Sequence, residues 1–363
     1  MDMRGFRRTG LIDSGNGGGV WSPRCAPMAV GSVPYADAAE AYQLLLRTTP
    51  EVMAWPQLPR RSFLENMYVQ FAEGLPGLKV DVAAGRAWVV EELPVEELAA
   101  FMERLEAGDP QAFGIGADHA AGLHGLPAVL REMERPPRLL KGQVTGPVSL
   151  CMSTAFLDKR ALFYDDTMRE VATEMLAARA RWQEQFLRPL AATGQVLMMV
   201  DEPFLAQWGS GYLSMPDNLV VPALRRVVGA VECLRGIHIC GGTDWAKVTR
   251  LPLDLLNFDA ADHVDALLAN AGPVGVFLDE GGMLAWGVVP NDDRALSLSA
   301  ESAGASVLAA AETLGNEVGI AEEAILAQSF VSPACGTGAL PPATAARCFE
   351  LAGEVSSWLR DRL

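Results

Sequence analysis

The sequence is poor in positive charge and in histidine. Its 29 Lys and Arg stand against 45 Asp and Glu, giving a formal net charge of −16, and there are only four His in 363 residues. So acidic a chain argues against a nucleic-acid partner, because phosphate backbones are met by basic patches. Long apolar runs are also missing. None approaches the roughly 18 residues a bilayer span requires, so no membrane segment is expected. The opening MDMRGFRRTGLIDSGNGGGVW has basic residues but no continuous apolar stretch behind them, so it does not read as a secretory signal. Its Gly-rich middle reads as a flexible tail, or as a start placed too early. Cysteine is sparse, with thiols scattered at 25, 151, 233, 240, 335 and 348. In a long acidic chain without a leader these are read as reduced thiols, and most of them as small buried hydrophobes. A cytoplasmic enzyme is the expectation from these absences.

What is present is enough apolar material for a large core: half of the residues are hydrophobic. Short apolar runs alternate with longer segments of helical period, the pattern of repeated βα units. Strands are expected over residues 28–33, 139–144, 195–200, 236–239, 253–258, 274–278 and 327–331, and helices over 37–47, 62–73 and 167–190. Each apolar run ends in a polar or Gly-rich cluster, as in Thr145-Gly146-Pro147, Asp201-Glu202-Pro203, Cys240-Gly241-Gly242 and Asp279-Glu280-Gly281-Gly282. In a barrel such clusters share the C-terminal mouth, where active sites of that fold sit. A doubly wound open sheet is the alternative, but no G-x-G-x-x-G opens a helix. The expected fold is α/β, a single (β/α)8 TIM barrel, with residues 1–25 as an N-terminal tail and 26–363 as the catalytic domain.

Three residues suggest chemistry. His238 and Cys240 are two apart at a strand end, so their side chains point the same way and can grip one metal together. Alone, that spacing equally describes a buried His and Cys filling a barrel layer. Cys335, in SPACGTGAL directly after another apolar run, adds a second thiol on a turn stiffened by Pro and Gly. One imidazole and two thiolates form a soft ligand set suited to zinc, with a position left for a substrate thiol. A fourth ligand is expected from a carboxylate at a neighbouring strand end, Asp259 first and Glu280 second. Asp201 and Glu202 are candidates for binding an amino group or for acid and base work, with Glu202 alternatively capping a helix. Backbone amides of the KGQVTGPVS turn are candidate carboxylate donors. His119, His124 and His263 have no spacing that implicates them.

Taken as a set, these motifs resemble the catalytic domain of cobalamin-independent methionine synthase, within the uroporphyrinogen decarboxylase and methionine synthase barrel superfamily. The likeness runs in order from about Met28 to near the C-terminus. AVGSVP is similar to the family's I-G-S-F-P opening, LENMYVQFAEGLPG to its Met-Phe helix, VTGPVS to its T-G-P turn, VDEP to I-D-E-P, HIC to H-x-C and SPACG to its Cys-Gly loop. The resemblance implies His238, Cys240 and Cys335 as zinc ligands, with Asp259 in place of the family's Glu. It also implies Asp201 as the substrate-amine contact and Ser32 as a substrate contact.

Three departures stand beside it. The family's H-G-E segment is replaced by PRRSFLEN, which puts Arg60 or Arg61, the latter the expected substrate contact, where a Glu grips an amine. Its V-Y-D-I-H-S-P-like run has no His here. Its N-terminal half-barrel, which helps to bind folate, is absent, and LAWGVVP resembles corrinoid- and coenzyme-linked members instead. The expected function is zinc-dependent methyl transfer to a small-molecule thiol, homocysteine or a relative, from methyl-folate or a methyl-corrinoid that is free or carried by a protein. In that reading Asp201 and Glu280 assist catalysis. The alternatives are a porphyrinogen decarboxylase, whose Arg-rich N-terminal segment is not found, and a non-catalytic barrel holding zinc or a corrinoid.

Overall fold

A computed structural model describes residues 21–209 and 213–363. Eight parallel strands form one sheet: β1 (Ala26–Pro27), β2 (Val52–Ala54), β3 (Leu139–Thr145), β4 (Val196–Asp201), β5 (Leu234–Ile239), β6 (Leu255–Asp259), β7 (Met283–Val289) and β8 (Ser329–Pro333). Each pairs with its sequence neighbour from β2 to β8, and β8 pairs with β1. The remaining seam, between β1 and β2, is closed just beyond the strands. There Ser32 bridges Gln57, Val33 N–H donates to the Gln57 carbonyl, and Gln57 N–H donates to the Gly31 carbonyl. The architecture is a (β/α)8 barrel.

Local signals set the outer helices. Asp37, Asp165 and Ser299 each accept a backbone N–H near the start of the helices Ala38–Thr48, Asp166–Leu187 and Ala300–Val318, satisfying donors that a helix N-terminus otherwise leaves unpaired. The first of these buries Ala41, Tyr42, Leu44, Leu45 and Thr48, one face at helical spacing. Between β2 and β3 the chain inserts a two-stranded hairpin, Leu78–Asp81 with Arg86–Val89, and the helices Val95–Ala107 and Ala121–Glu132. The expected 62–73 helix is broken by a second cap: Asn66 accepts from Tyr68 N–H and starts Met67–Ala72 afresh after a single 3₁₀ turn. Among the described residues no helix is long and apolar enough to cross a membrane.

The strand period of two grades the barrel interior from floor to mouth. Leu139, Leu197, Met199, Leu234, Leu255, Met283 and Phe330 form an apolar floor. Along the same inward faces, later positions turn polar: Lys141 and Gln143 on β3, Asp201 on β4, His238 on β5, Asn257 on β6 and Ser332 on β8, all buried.

Two expectations are corrected. Residues 274–278 are not a strand; they belong to the helix Ala271–Asp279, which buries Ala271, Val274, Gly275, Phe277 and Leu278. The strand that follows begins at Met283, on the floor, so Glu280 stands at the opposite end of β7 from the mouth. The other correction concerns the tail. Residues 1–20 lie outside the described part, but the stretch from Trp21 is packed. Trp21 stacks 6.2 Å from Phe330, Cys25 is fully buried, and the Arg24 and Cys25 amides bond to the Ala327 and Ser329 carbonyls.

Candidate metal centre

His238 is the penultimate residue of β5 and Cys240 follows just past its end, so both face inward. Cys335 enters from the loop after β8. The ligand atoms of the three all lie within 4.8 Å of one another. Edges of a tetrahedron built on zinc–sulfur and zinc–nitrogen bonds are about 3.5 Å, so a slight contraction closes the set on an ion.

A hydrogen-bond chain fixes the imidazole. His238 Nδ1 lies 2.7 Å from Asn257 Oδ1, while Asn257 Nδ2 donates to the Ala285 carbonyl and to Ser332 Oγ. The Ala285 oxygen can only accept, so the Asn257 amide has one orientation and its oxygen must receive the Nδ1 proton. That leaves Nε2, which is buried and among the described residues has no nitrogen or oxygen partner, as the atom turned to the two sulfurs. A metal-ligating histidine is held in this way. An orphaned buried nitrogen beside two thiols fits a soft divalent cation, and zinc suits that donor set.

The protons on these groups compete. A hydrogen bond from Cys335 pulls the Cys240 thiol down to about 4 against its burial, with His238 adding to the pull. Sharing with Cys240 and burial both push Cys335 up. Burial lowers His238, but the Cys240 sulfur and Asp201 outweigh it for a net rise. A bound cation relieves this contest by replacing the shared protons.

Asp201 closes β4 beside His238, with which it is in register. Its carboxylate is buried and Oδ1 has no partner. Burial raises its pKa, while Lys141 and His238 oppose the rise. Glu202, by contrast, turns away. Its carboxylate accepts from the Val148 and Ser149 amides and from Ser149 Oγ, capping the helix Pro147–Ser153. Gly146 has no side chain because a Cβ there would sit 2.1 Å from Glu202 Oε1. The T-G-P and D-E-P motifs therefore form one structural unit. Burial pushes Glu202 up to about 7 in spite of its donors, and the expected substrate contact is a helix cap instead.

A cavity of about 530 Å3 opens over the three ligands, lined also by Ser32, Gln57, Arg60, Tyr68 and Asp201. Ser32 accepts from Gly338 N–H through Oγ and from Thr337 N–H through its carbonyl. This clips the Cys335 loop to the end of β1, and a Cβ at Gly336 would lie 2.3 Å from Ser32 Oγ.

Three expected contacts fall outside the cluster. Asp259 ends β6 on the inward parity, but its Oδ1 is taken by the Ala261 and Asp262 amides, and it is not in the metal-capable group. Glu280 is at the far end of the barrel. Arg61 bonds to Glu65 and to the Asp118 carbonyl and does not line the cavity; Arg60 does. Sequence reasoning passed over Glu65, Gln57 and Tyr68. The Asn66 cap in LENMY was the available signal that a break between a 3₁₀ turn and a new helix, rather than continuous helix, brings Glu65 and Tyr68 to this wall.

Comparison with solved structures finds the same architecture. A B12-independent methionine synthase from a Shewanella species, solved with selenomethionine, superposes with a TM-score of 0.60 at 11% identity, covering 93% of this chain and 98% of its own. A methyltransferase from Methanosarcina mazei gives 0.52 at 14% identity, covering 98% and 99%. A candidate vitamin B12-independent methionine synthase from Listeria monocytogenes gives 0.55 at 14% identity, covering 93% and 99%. These proteins share the fold. No protein-family model and no curated protein sequence matches the chain.

Proposed function

We propose that this protein is a methyltransferase whose acceptor is a thiol, with zinc held by His238, Cys240 and Cys335. The observation that carries the reading is the convergence of one imidazole and two sulfurs, from strands far apart in sequence, at the mouth of the barrel. The methionine synthase and methyltransferase named for similar folds support it.

A zinc ion held by His238, Cys240 and Cys335 would lower the pKa of an incoming thiol and so supply a sulfur nucleophile. The protein's own residues do the rest. Asn257 holds the His238 ring so that Nε2 faces the sulfurs. Asp201, with one oxygen unpartnered beside the centre, is placed to hold an ammonium group of the acceptor. The cavity would hold the sulfur beside the methyl carbon of the donor, a methyl-folate or a methyl-corrinoid. The methyl group passes to sulfur as the bond to the donor breaks, and the donor's leaving atom keeps the electron pair.

The test is metal content together with transfer. Wild-type protein is expected to hold about one zinc per chain, while Cys240→Ser and Cys335→Ser lose most of it and all transfer from methylcobalamin or methyl-folate to homocysteine. Full zinc retention in both variants overturns the assignment.

A further inference from the structure

We infer that Arg60 forms an anion subsite, so that the thiol accepted by this centre carries a carboxylate, sulfonate or similar group at the end away from its sulfur. The inference rests on the proposed thiol-binding centre and names the class of thiol that it takes.

The charged groups lining the cavity, besides the metal-capable set, are Glu65, Asp201 and Arg60. Glu65 lies in the wall, fully buried, but both of its oxygens are engaged: Oε2 accepts from Leu58 N–H and Oε1 from Arg61. Glu65 is therefore neutralised from behind and does not pair with Arg60. Asp201 sits at the inner end, beside His238. Arg60 is exposed where it lines the cavity, and among the described residues it makes no ion pair. It is tied down nonetheless. Its Nη2 donates to the carbonyls of Ala339 (3.2 Å) and Leu340 (2.6 Å), on the loop that carries Cys335. One edge of the guanidinium is thus fixed to the metal-bearing loop, while Nη1 and Nε remain as donors.

Three features turn that arrangement into a subsite. The group is a permanent cation with a planar set of donors matched to carboxylate or sulfonate oxygens. Its orientation is fixed beforehand by two backbone acceptors, so little freedom is lost on binding. Polar neighbours stand on the same cavity wall: Ser32, whose hydroxyl hydrogen is free while its oxygen accepts from Gly338 N–H, and Asn66, whose oxygen caps Tyr68 while its amide nitrogen remains. Cys335 and Arg60 belong to one continuous wall, joined through Gly336 and Gly338. A short thiol bound at the cysteines therefore shares one cavity with Arg60.

The experiment titrates cobalt-substituted protein with four thiols and follows the sulfur-to-metal absorption band. The thiols are 3-mercaptopropionate, 2-mercaptoethanesulfonate, neutral 2-mercaptoethanol and cationic cysteamine. The expected result is that the two anionic thiols bind about 2- to 5-fold more tightly than 2-mercaptoethanol, the range for a contact with an exposed, solvent-screened cation; cysteamine reports separately on Asp201, which is placed to hold its ammonium group. Arg60→Met is expected to erase that ratio. Arg60→Lys, which keeps the charge without the planar fork, retains part of it. Arg60→Gln keeps a polar side chain but no charge. If it too loses the ratio while 2-mercaptoethanol still perturbs the cobalt spectrum, loop collapse is ruled out as the cause. Equal binding of anionic and neutral thiols to wild-type protein, or an unchanged ratio in Arg60→Met, overturns the inference and leaves the thiol centre standing. A cobalt spectrum that no thiol perturbs overturns the thiol centre itself.

Discussion

His238 Nδ1 and Asn257 Oδ1 lie 2.7 Å apart, and that contact decides which nitrogen of the ring is left for a metal. Asn257 in turn is held by a carbonyl on β7 and a hydroxyl on β8, so three staves of the barrel aim one imidazole. Asn257→Leu keeps the side chain's size and removes the acceptor. We expect a 10- to 100-fold fall in zinc affinity, the usual order for loss of a ligand's supporting hydrogen bond, with the fold kept. Competition with a chromogenic chelator measures it, and an unchanged affinity refutes the role given to Asn257.

Gly146 faces the Glu202 carboxylate with no room for a methyl group. Its φ of −74° suits any residue, so the effect of Gly146→Ala is steric. It should destabilise the protein by about 2 kcal/mol or more, in the range of overpacked cores. Shortening Glu202 in the same chain should recover part of the loss, because the two sites share one contact. Urea denaturation of the single and double variants checks both statements, and strict additivity contradicts the second.

Glu202 also gives stability a pH dependence. Burial lifts its pKa from 4.5 to about 7, so folding favours the protonated carboxyl. Its stabilising contribution is complete below about pH 4.5 and is lost as the pH rises through about 7, by roughly 3 kcal/mol in total. Glu202→Gln imitates the protonated form and should flatten that window. Identical pH slopes for the variant and the wild type, in denaturation series between these two values, rule the account out.

The Cys335 loop depends on small residues. A Cβ at Gly336 would meet Ser32 Oγ at 2.3 Å, so Gly336→Ala must either turn that hydroxyl away from Gly338 N–H or push the loop aside, and both undo the clip on the Cys335 loop. Zinc content is expected to fall several-fold while thermal stability changes little. Ser32→Ala in the same chain, which removes the obstructing oxygen, should restore part of the metal. Full occupancy in the single variant would show that the clip does not position Cys335.

Much of the barrel and the core of its site could be read from the sequence because both follow the strand period. His238 and Cys240 share a face by parity alone, and the Pro and Gly around Cys335 mark a strand-end turn. The same rule misled at Asp259: its parity is inward, but the amides of Ala261 and Asp262, two and three residues on, capture the oxygen first. The 274–278 run failed for another reason. Five consecutive apolar residues satisfy a buried strand and a buried helix equally, and only the Gly282 turn packed beneath Phe277 separates them. Glu202 was ambiguous because its partners, Val148 and Ser149, are more than fifty residues upstream. Arg60 and Arg61 differ only in the direction a loop gives them, which no local pattern records.

The cylinder's last joint is not made by strands at all. Between the first stave and the second, the backbone bonds of Val33 and Gln57 do the fastening, and Ser32 and Gln57 also line the cavity. Filling the cavity and sealing the cylinder are therefore coupled events: a ligand that grips this wall acts as a stitch in the joint. Slower amide exchange at Val33 and Gln57 on thiol binding, with the amides of the helix Ala300–Val318 unaffected, is the mark of that coupling.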